Sequence, residues 1–270
     1  MSLADTKYLD IVQNILDNGA LGQNRTGMPA YKLPHQIMQF DLEKEFPILT
    51  TKFVAFKTSV KEILWIWQKQ SNDVRVLQQW NCHVWDEWMQ EDGTIGKAYG
   101  YQLGVKHHYK EGDFDQVDRI LYDLKHNPLS RRIMSNIYNH HDLSEMHLYP
   151  CAYSMTFNVS GDTLNGILNQ RSQDMLTANS WNVCQYAVLM HMFAQASGLK
   201  VGELVHVIAD AHIYDRHIPM VEELLKKEPL PGPTLWVDPE VKDFYQFTTD
   251  SFKLENYQYH PFDHKVPVAI

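Results

Sequence analysis

The chain has 270 residues, 44% of them hydrophobic and 21% charged, and a net charge of −9 at neutral pH. That balance supports a large core and excludes a disordered chain. The acidic surplus argues against a general nucleic-acid binder, DNA included, because a phosphate backbone requires a basic surface. Cys82, Cys151 and Cys184 are odd in number and widely spaced, so they do not form a disulfide framework and point to a reducing, cytoplasmic compartment.

The acidic, amphipathic N-terminus is not a signal peptide. Residues 5–18 place Tyr8, Ile11, Val12, Ile15 and Leu16 on one helical face, with Gly19 as a stop. The loop GQNRTG (22–27) precedes a strand over 31–42. FPILTTK (46–52) leads into a helix over 57–70, with Val60, Ile63, Leu64 and Trp67 in helical spacing. Residues 73–90 are rich in Trp and charge. Val117, Ile120, Leu121 and Leu124 mark a helix that ends before Asn127-Pro128.

The period then changes. RIMSNIYN (132–139) has strand character, and AYSMTFNVS and TLNGILNQ form a hairpin across Gly161-Asp162. Residues 180–197 follow as a helix apolar nearly all round, which predicts burial. Its most apolar run, Val183 to Phe193, is interrupted by Gln185 and His191 and is too short to span a bilayer, so no membrane is expected. ELVHVIADAHIY (203–214) is a strand; Met220, Val221, Leu224 and Leu225 mark a helix ending at Lys226-Lys227; short strands finish the chain. The expectation is one α+β domain over residues 1–270, with a mixed sheet, surrounding helices and one buried central helix.

One constellation carries chemistry. Cys151 follows Pro150 at the mouth of the first hairpin strand, and the second strand carries Arg171 back alongside it. A guanidinium beside a thiol favours the reactive thiolate. Arg171, Ser172 and Asp174 together offer a fork of donors, a hydroxyl and a carboxylate, a set suited to a phosphate and a second group beside it. From these residues alone, Cys151 as a small core residue and Arg171 as a surface charge stay open. No C-x-x-C or H-x-x-x-H spacing joins the cysteines, so no metal is expected.

YPCAY (149–153), NQRSQD (169–174), SWN (180–182) and DAHIY (210–214) resemble, in order and spacing, the catalytic half of thymidylate synthase. The resemblance extends through NRTG (24–27), FPILTTK, KEILW (61–65), VWDEW (84–88), AYG (98–100), SRRI (130–133) and KVPVAI (265–270). It implies reductive methylation of dUMP to dTMP, with 5,10-methylenetetrahydrofolate as donor of carbon and hydride, leaving as dihydrofolate. It also implies a homodimer joined through the sheet.

The resemblance assigns Cys151 as the nucleophile that adds to uracil C6, since C5 alone is a poor nucleophile. Cys82 and Cys184 are then structural. Arg25, Arg171, Arg131 and Arg132 would hold the phosphate, the last two from the other subunit, with Ser172 as a neutral donor and Gln173 beside it. Asn182 would donate to uracil O4 and accept from N3–H, a pattern that cytosine reverses. His212 and Tyr214 would donate to the deoxyribose 3′-OH. Glu62, on an apolar helix face, would have a raised pKa and move protons near O4; a solvent-facing Glu is the alternative. Tyr99 would remove the C5 proton. On the folate side the resemblance places Asp174, Trp85, Trp88, Lys52 and the tail residues Ala269 and Ile270, which would close over both ligands.

The chain departs from the pattern in places. Ala152 stands where many members have His, Phe56 replaces a folate-contacting His, Leu103 replaces a common Trp, and MLTANSW (175–181) replaces the usual residues before the asparagine. Three rivals remain: a pyrimidine nucleotide hydroxymethylase that traps the intermediate with water, a regulatory RNA-binding protein, and a Cys/His metal site. Asn182 separates uracil from cytosine in this reading. Asn182→Asp is expected to shift nucleotide preference from dUMP toward dCMP by at least about tenfold, about one good hydrogen bond's worth, measured by competitive nucleotide binding; an unchanged ratio would remove that role.

Overall fold

The computed structural model describes residues 1–24 and 26–267, so Arg25, Ala269 and Ile270 lie outside the described residues. In chain order the elements are α1 (Leu3–Asn18), β1 (Ala20–Gly22), β2 (Ala30–Asp41), α2 (Phe56–Ile63), α3 (Val74–Gln79), α4 (Gly100–Gly104), β3 (His107–Tyr109), β4 (Gly112–Phe114), α5 (Gln116–His126) and β5 (Met134–Asn136). They continue with β6 (Ala152–Ser160), β7 (Thr163–Gln170), β8 (Gln173–Asp174), α6 (Ser180–Ala196), β9 (Lys200–Tyr214), α7 (Ile218–Leu225), β10 (Thr234–Val237) and β11 (Phe252–Glu255).

The main sheet runs β1-β2-β9-β7-β6-β5, with β8 also on β9. β7 and β8 pair with β9 in parallel and the other neighbours are antiparallel, which makes the sheet mixed, as the sequence suggests. The parallel β7–β9 pairing is reached by a crossover through α6, the connection such a pairing needs. α6 is the buried central helix: every residue from Val183 to Met190 is buried. It packs on β7 so closely that a Cβ at Gly166 would strike Met190 Sδ.

Alternation on the strands divides the two sheet faces. Met38, Phe40, Met155, Phe157, Leu164, Leu168, Leu204 and Ile208 point into the core. The opposite face presents Met134, Thr156, Ile167, Val205 and Gln39 as one cross-strand row, with Ile37 and Val207 in the next. Ile37 is 62% exposed and Met134 50%, large apolar side chains left uncovered on this face.

Two elements differ from the sequence expectation. The helix over 57–70 ends at Ile63 and widens into a π-helical turn, Leu64–Gln68, whose five residues are all buried. A run buried on all sides has no solvent face for a period to reveal. The strand over 132–139 shortens to Met134–Asn136, although Ile133 O and Ile137 N still bond to Phe157 N and Tyr153 O at its ends.

FPILTTK owes its two threonines to a buried carboxylate. Asp5, on α1, accepts from Thr50 N and Oγ1 (both 2.8 Å) and from Thr51 N (3.0 Å) and Oγ1 (2.7 Å). These four bonds tie α1 to the segment that carries Lys52 and leads into α2. Asp5→Ala would leave two buried amides unsatisfied and is expected to cost about 3 kcal/mol, read as a lower urea midpoint with an unchanged slope.

Candidate active site

Cys151 precedes β6 and Arg171 follows β7, and the hairpin joins them: Arg171 N donates to Cys151 O at 2.9 Å. The guanidinium turns back on the same segment, Nε donating to Pro150 O at 3.0 Å and Nη2 to Tyr149 O at 2.8 Å. Nη2 also lies 3.8 Å from Cys151 Sγ. A cation held so rigidly beside a sulfur favours the thiolate. The β6–β7 register shifts between Ala152 and Ser154, an irregularity of the kind that re-aims side chains beside active sites. Cys151 is partly exposed, whereas Cys82 and Cys184 are buried and their thiols are pushed up by burial, that of Cys82 to about 11. Neither of those two is an available nucleophile.

The sulfur opens on a cleft with two lobes that share Cys151, Ser172, His212 and Tyr214. The smaller lobe, about 200 Å³, is lined by Arg171, Lys32, Asp210 and, from the first loop, Gly22, Gln23, Asn24 and Thr26. β2 and β9 place Lys32 opposite His212, and Asp210 Oδ1 bonds His212 Nδ1 at 2.9 Å, which fixes the ring. The larger lobe, about 520 Å³, is walled by Trp85, Trp88, Trp181, Ile66 and Leu148, with Glu62, Asp174, Lys52 and Asn182 among its polar groups.

Glu62 is buried, which excludes the solvent-facing alternative. Its Oε1 accepts from Trp85 Nε1 at 2.8 Å and its Oε2 from Trp181 Nε1. Burial nevertheless raises its carboxyl above the usual range, outweighing the two indole bonds. Trp85 therefore both walls the lobe and holds Glu62. Tyr99 packs its ring against Trp85, and its hydroxyl accepts from Cys151 N at 3.1 Å. Burial, and then the neighbouring sulfur, push its phenol well above the usual value. Its backbone sits at φ 47°, a strained left-handed conformation for a bulky residue. The residue after it is confined to glycine, because a Cβ at Gly100 would strike the backbone of Gln70 and Ser71.

Asn182 lies in a buried amide network. Its Oδ1 accepts from Gln170 Nε2 at 3.1 Å and Gln173 Nε2 at 3.3 Å, and its Nδ2 donates to Gln185 Oε1 at 3.0 Å. Behind it, His206 Nε2 bonds Gln170 Oε1 at 2.8 Å, and burial lowers His206 to about 3, so the ring is neutral and Nε2 carries the proton. Each amide is thus oriented by the next, and Asn182 lines the larger lobe. To accept from a base, its oxygen must give up one of the two glutamine bonds. Asp174 caps the π-helical turn Met175–Asn179 by accepting from Leu176 N and Thr177 N. Lys52 Nζ donates to Leu176 O of the same turn, and burial brings its ammonium down to about 8.

Arg131 and Arg132 are exposed after α5 and line neither lobe. Phe56 packs edge-on against Phe46, Leu103 is buried, and Ala152 lines the larger lobe beside the sulfur.

A family model described as thymidylate synthase matches residues 6–270. The chain belongs to the thymidylate synthase family. A thymidylate synthase of Clostridium beijerinckii is 50% identical over 262 residues, covering 96% of this chain and 97% of that protein. Thymidylate synthase 1 of Bacillus subtilis (strain 168) is 45% identical over 270 residues, covering 96% of each. The solved structure of thermostable thymidylate synthase A from Bacillus subtilis superposes with a TM-score of 0.90 at 42% identity, over 99% of both chains.

The two-lobed cleft fits a thymidylate synthase. A flat heteroaromatic ring suits the tryptophan-walled lobe, where the Asp174 carboxylate can accept from ring N–H groups. Lys32, Asp210, Trp181 and the orienting residues Gln170, Gln185 and His206 join the site beyond the residues expected from the sequence. His206 was accessible from period two, since it shares the inward face of β9 with Leu204 and Ile208.

Because folding raises the Glu62 pKa, the folded state binds the extra proton between the ordinary carboxylate value and the raised one. Glu62 therefore makes stability fall as pH rises through that window. Glu62→Gln is expected to flatten this slope in urea titrations between pH 4 and 8 and to lower kcat at least about a hundredfold, the scale of a lost proton-transfer group.

Proposed function

We propose that Cys151 carries this chain's reaction by adding its sulfur to C6 of dUMP. The reaction is the reductive methylation of dUMP to dTMP, in which 5,10-methylenetetrahydrofolate supplies the carbon and the hydride and leaves as dihydrofolate. The observation that carries the reading is the partly exposed Cys151 Sγ at the junction of two lobes with Arg171 Nη2 at 3.8 Å.

Addition of the thiolate makes C5 an enolate-like carbon, and one difficult step becomes easier ones. In this reading the smaller lobe takes the nucleotide's sugar and phosphate. Arg171, Arg25 and Ser172 hold the phosphate end, and His212 and Tyr214 the 3′-OH; Gln173, expected beside the phosphate, is buried, lines neither lobe and acts on the nucleotide through Asn182. Asn182 reads the uracil edge, with Glu62 moving protons near O4 and Tyr99 near the C5 proton. The larger lobe takes the folate, with Asp174, Trp85, Trp88 and Lys52 along it and Ala269 and Ile270 closing over it.

Arg131 and Arg132 reach a neighbouring subunit's phosphate in a homodimer packed through the uncovered sheet face, a reading supported by their exposure and by the exposed Ile37, Ile167 and Met134. The catalytic unit runs over residues 1–270 and works in the cytoplasm, in keeping with three free cysteines. No helix among the described residues is long and apolar enough to cross a membrane. The hydroxymethylase reading is not favoured, since the relatives are named as synthases.

One experiment tests nucleophile and dimer together. Cys151→Ser is expected to bind dUMP and lose essentially all turnover, and an Arg131→Ala/Arg132→Ala double variant to lose most of it. Mixed and re-equilibrated, the two should regain about a quarter of wild-type activity, because half the dimers are mixed and each has one intact site. Dihydrofolate formation, followed by absorbance, is the readout. Near-normal turnover by Cys151→Ser would overturn the nucleophile, and no recovery on mixing would overturn the shared site.

A further inference from the structure

The segment after β11 runs across α7 and returns to the cleft. His260 N donates to Thr50 O at 2.7 Å, Lys227 Nζ to Pro261 O at 2.6 Å, and His264 Nε2 meets Glu223 Oε2 at 2.6 Å. Its last described bonds converge on one atom. Pro267 O accepts from His217 Nε2 at 2.9 Å and from Arg216 Nη2 at 3.1 Å. Val266, the residue before, lines the larger lobe.

Both donors sit on the turn Asp215–His217, directly after the end of β9 that carries His212 and Tyr214 into the cleft. His217 is fully buried, edge-on to the Tyr214 ring at 5.5 Å. Since its partner is a carbonyl, Nε2 is the donor and carries a proton. Nδ1 then faces Asp174 Oδ2 at 3.9 Å, too far for a hydrogen bond, and has no hydrogen-bond partner among the described residues. Arg216 stands beside the same tyrosine, its guanidinium carbon 5.9 Å from the ring centre. One imidazole thus separates the tail from the carboxylate of the larger lobe, and one two-residue clamp links the tail to the strand end of the smaller lobe.

We propose that Arg216 and His217 are positioning residues that clamp the Pro267 carbonyl and so set the tail as a wall of the folate lobe. They touch neither reacting atom. They fix where Val266 and Pro267 lie relative to Asp174, and they tie that position to the strand that ends in Tyr214. A carbonyl accepting two N–H donors, one of them charged, is held more firmly than by either alone. The inference rests on the reading that the larger lobe takes the folate.

The full-length chain tests it with Arg216→Met, His217→Phe, the double variant and His217→Gln, in which an amide N–H can replace Nε2. Amide hydrogen exchange over 256–270, read by mass spectrometry with dUMP and methylenetetrahydrofolate present, reports the tail. The double variant is expected to exchange at least about tenfold faster there, to raise KM for the folate at least about tenfold and to leave the dUMP Kd within about twofold, each tenfold being one hydrogen bond's worth. His217→Gln should recover most of both effects, which a purely structural role for the ring would not allow. Arg216 is part-exposed, so Arg216→Met is expected to fold and show a smaller change of the same kind. Unchanged exchange and unchanged folate KM in the double variant would overturn the clamp. Trp88→Ala, in the lining of the same lobe, separates the two readings: if it too leaves folate KM unchanged, the lobe assignment fails, whereas a raised KM there with a protected tail in the double variant sinks the clamp alone.

Discussion

The site depends on how the Arg171 side chain is bonded. Its guanidinium is held by the carbonyls of Tyr149 and Pro150, its main-chain N–H by the carbonyl of Cys151, and Nη2 also reaches the sulfur. Every partner lies on the three residues that open β6. A two-residue hairpin turn at Gly161-Asp162, with Gly161 at φ 65°, sets the register that makes this possible. A one-residue slip would send Arg171 to the opposite face and leave three carbonyls without that donor. Cys151 and the guanidinium proposed to activate it are therefore two ends of one local structure, which suits the proposed reaction, since that needs the sulfur ionised at neutral pH.

Around that pair the protein accepts costs that only a site explains. Glu62 is buried against two indoles when a surface position would be cheaper, and Tyr99 keeps a strained backbone so that its hydroxyl can accept from the Cys151 amide. The two are linked, because Trp85 donates to Glu62 and packs on Tyr99. The tryptophans of VWDEW are thus not only an apolar wall; one of them orients the carboxylate on α2. α6 gives this cluster its floor, since it carries Asn182 and Gln185 on its first turns and is otherwise held in the core on every side.

Most of the fold was legible where burial is one-sided. The hairpin, α1, α5 and β9 follow their periods, and Cys151, Arg171, Ser172, His212 and Tyr214 meet where order along the chain placed them. What was not legible is buried on all sides or made by long-range pairing. The turn Leu64–Gln68 shows no period because all five residues are inside, and the short hairpin β3–β4 has too few residues to show one. Gln170 and Gln173 flank Arg171 in NQRSQD, yet nothing local says that their amides orient Asn182, which is fixed only when β7, β8 and α6 come together. Lys32 was missed for the same reason: its place opposite His212 comes from β2–β9 pairing across most of the sequence.

Charge gives the dimer proposal a physical motive. A chain with a net charge of −9 repels a dianion, so a phosphate must be held by local cations. Among the described residues, the cations lining the smaller lobe are Lys32 and Arg171. Lys32 Nζ lies 3.9 Å from Asp210 Oδ2, and Arg171 commits Nε and Nη2 to carbonyls and the sulfur, leaving mainly Nη1 for a ligand. Arg25 alone would have to supply the rest. Arg131 and Arg132 stand just before β5, the strand that begins with exposed Met134 on the uncovered sheet face. Packing that face against a second copy would bury its aliphatic row and carry two arginines toward a neighbouring lobe in the same step. The apolar surface and the missing positive charge then share one remedy, and a monomer would lack both.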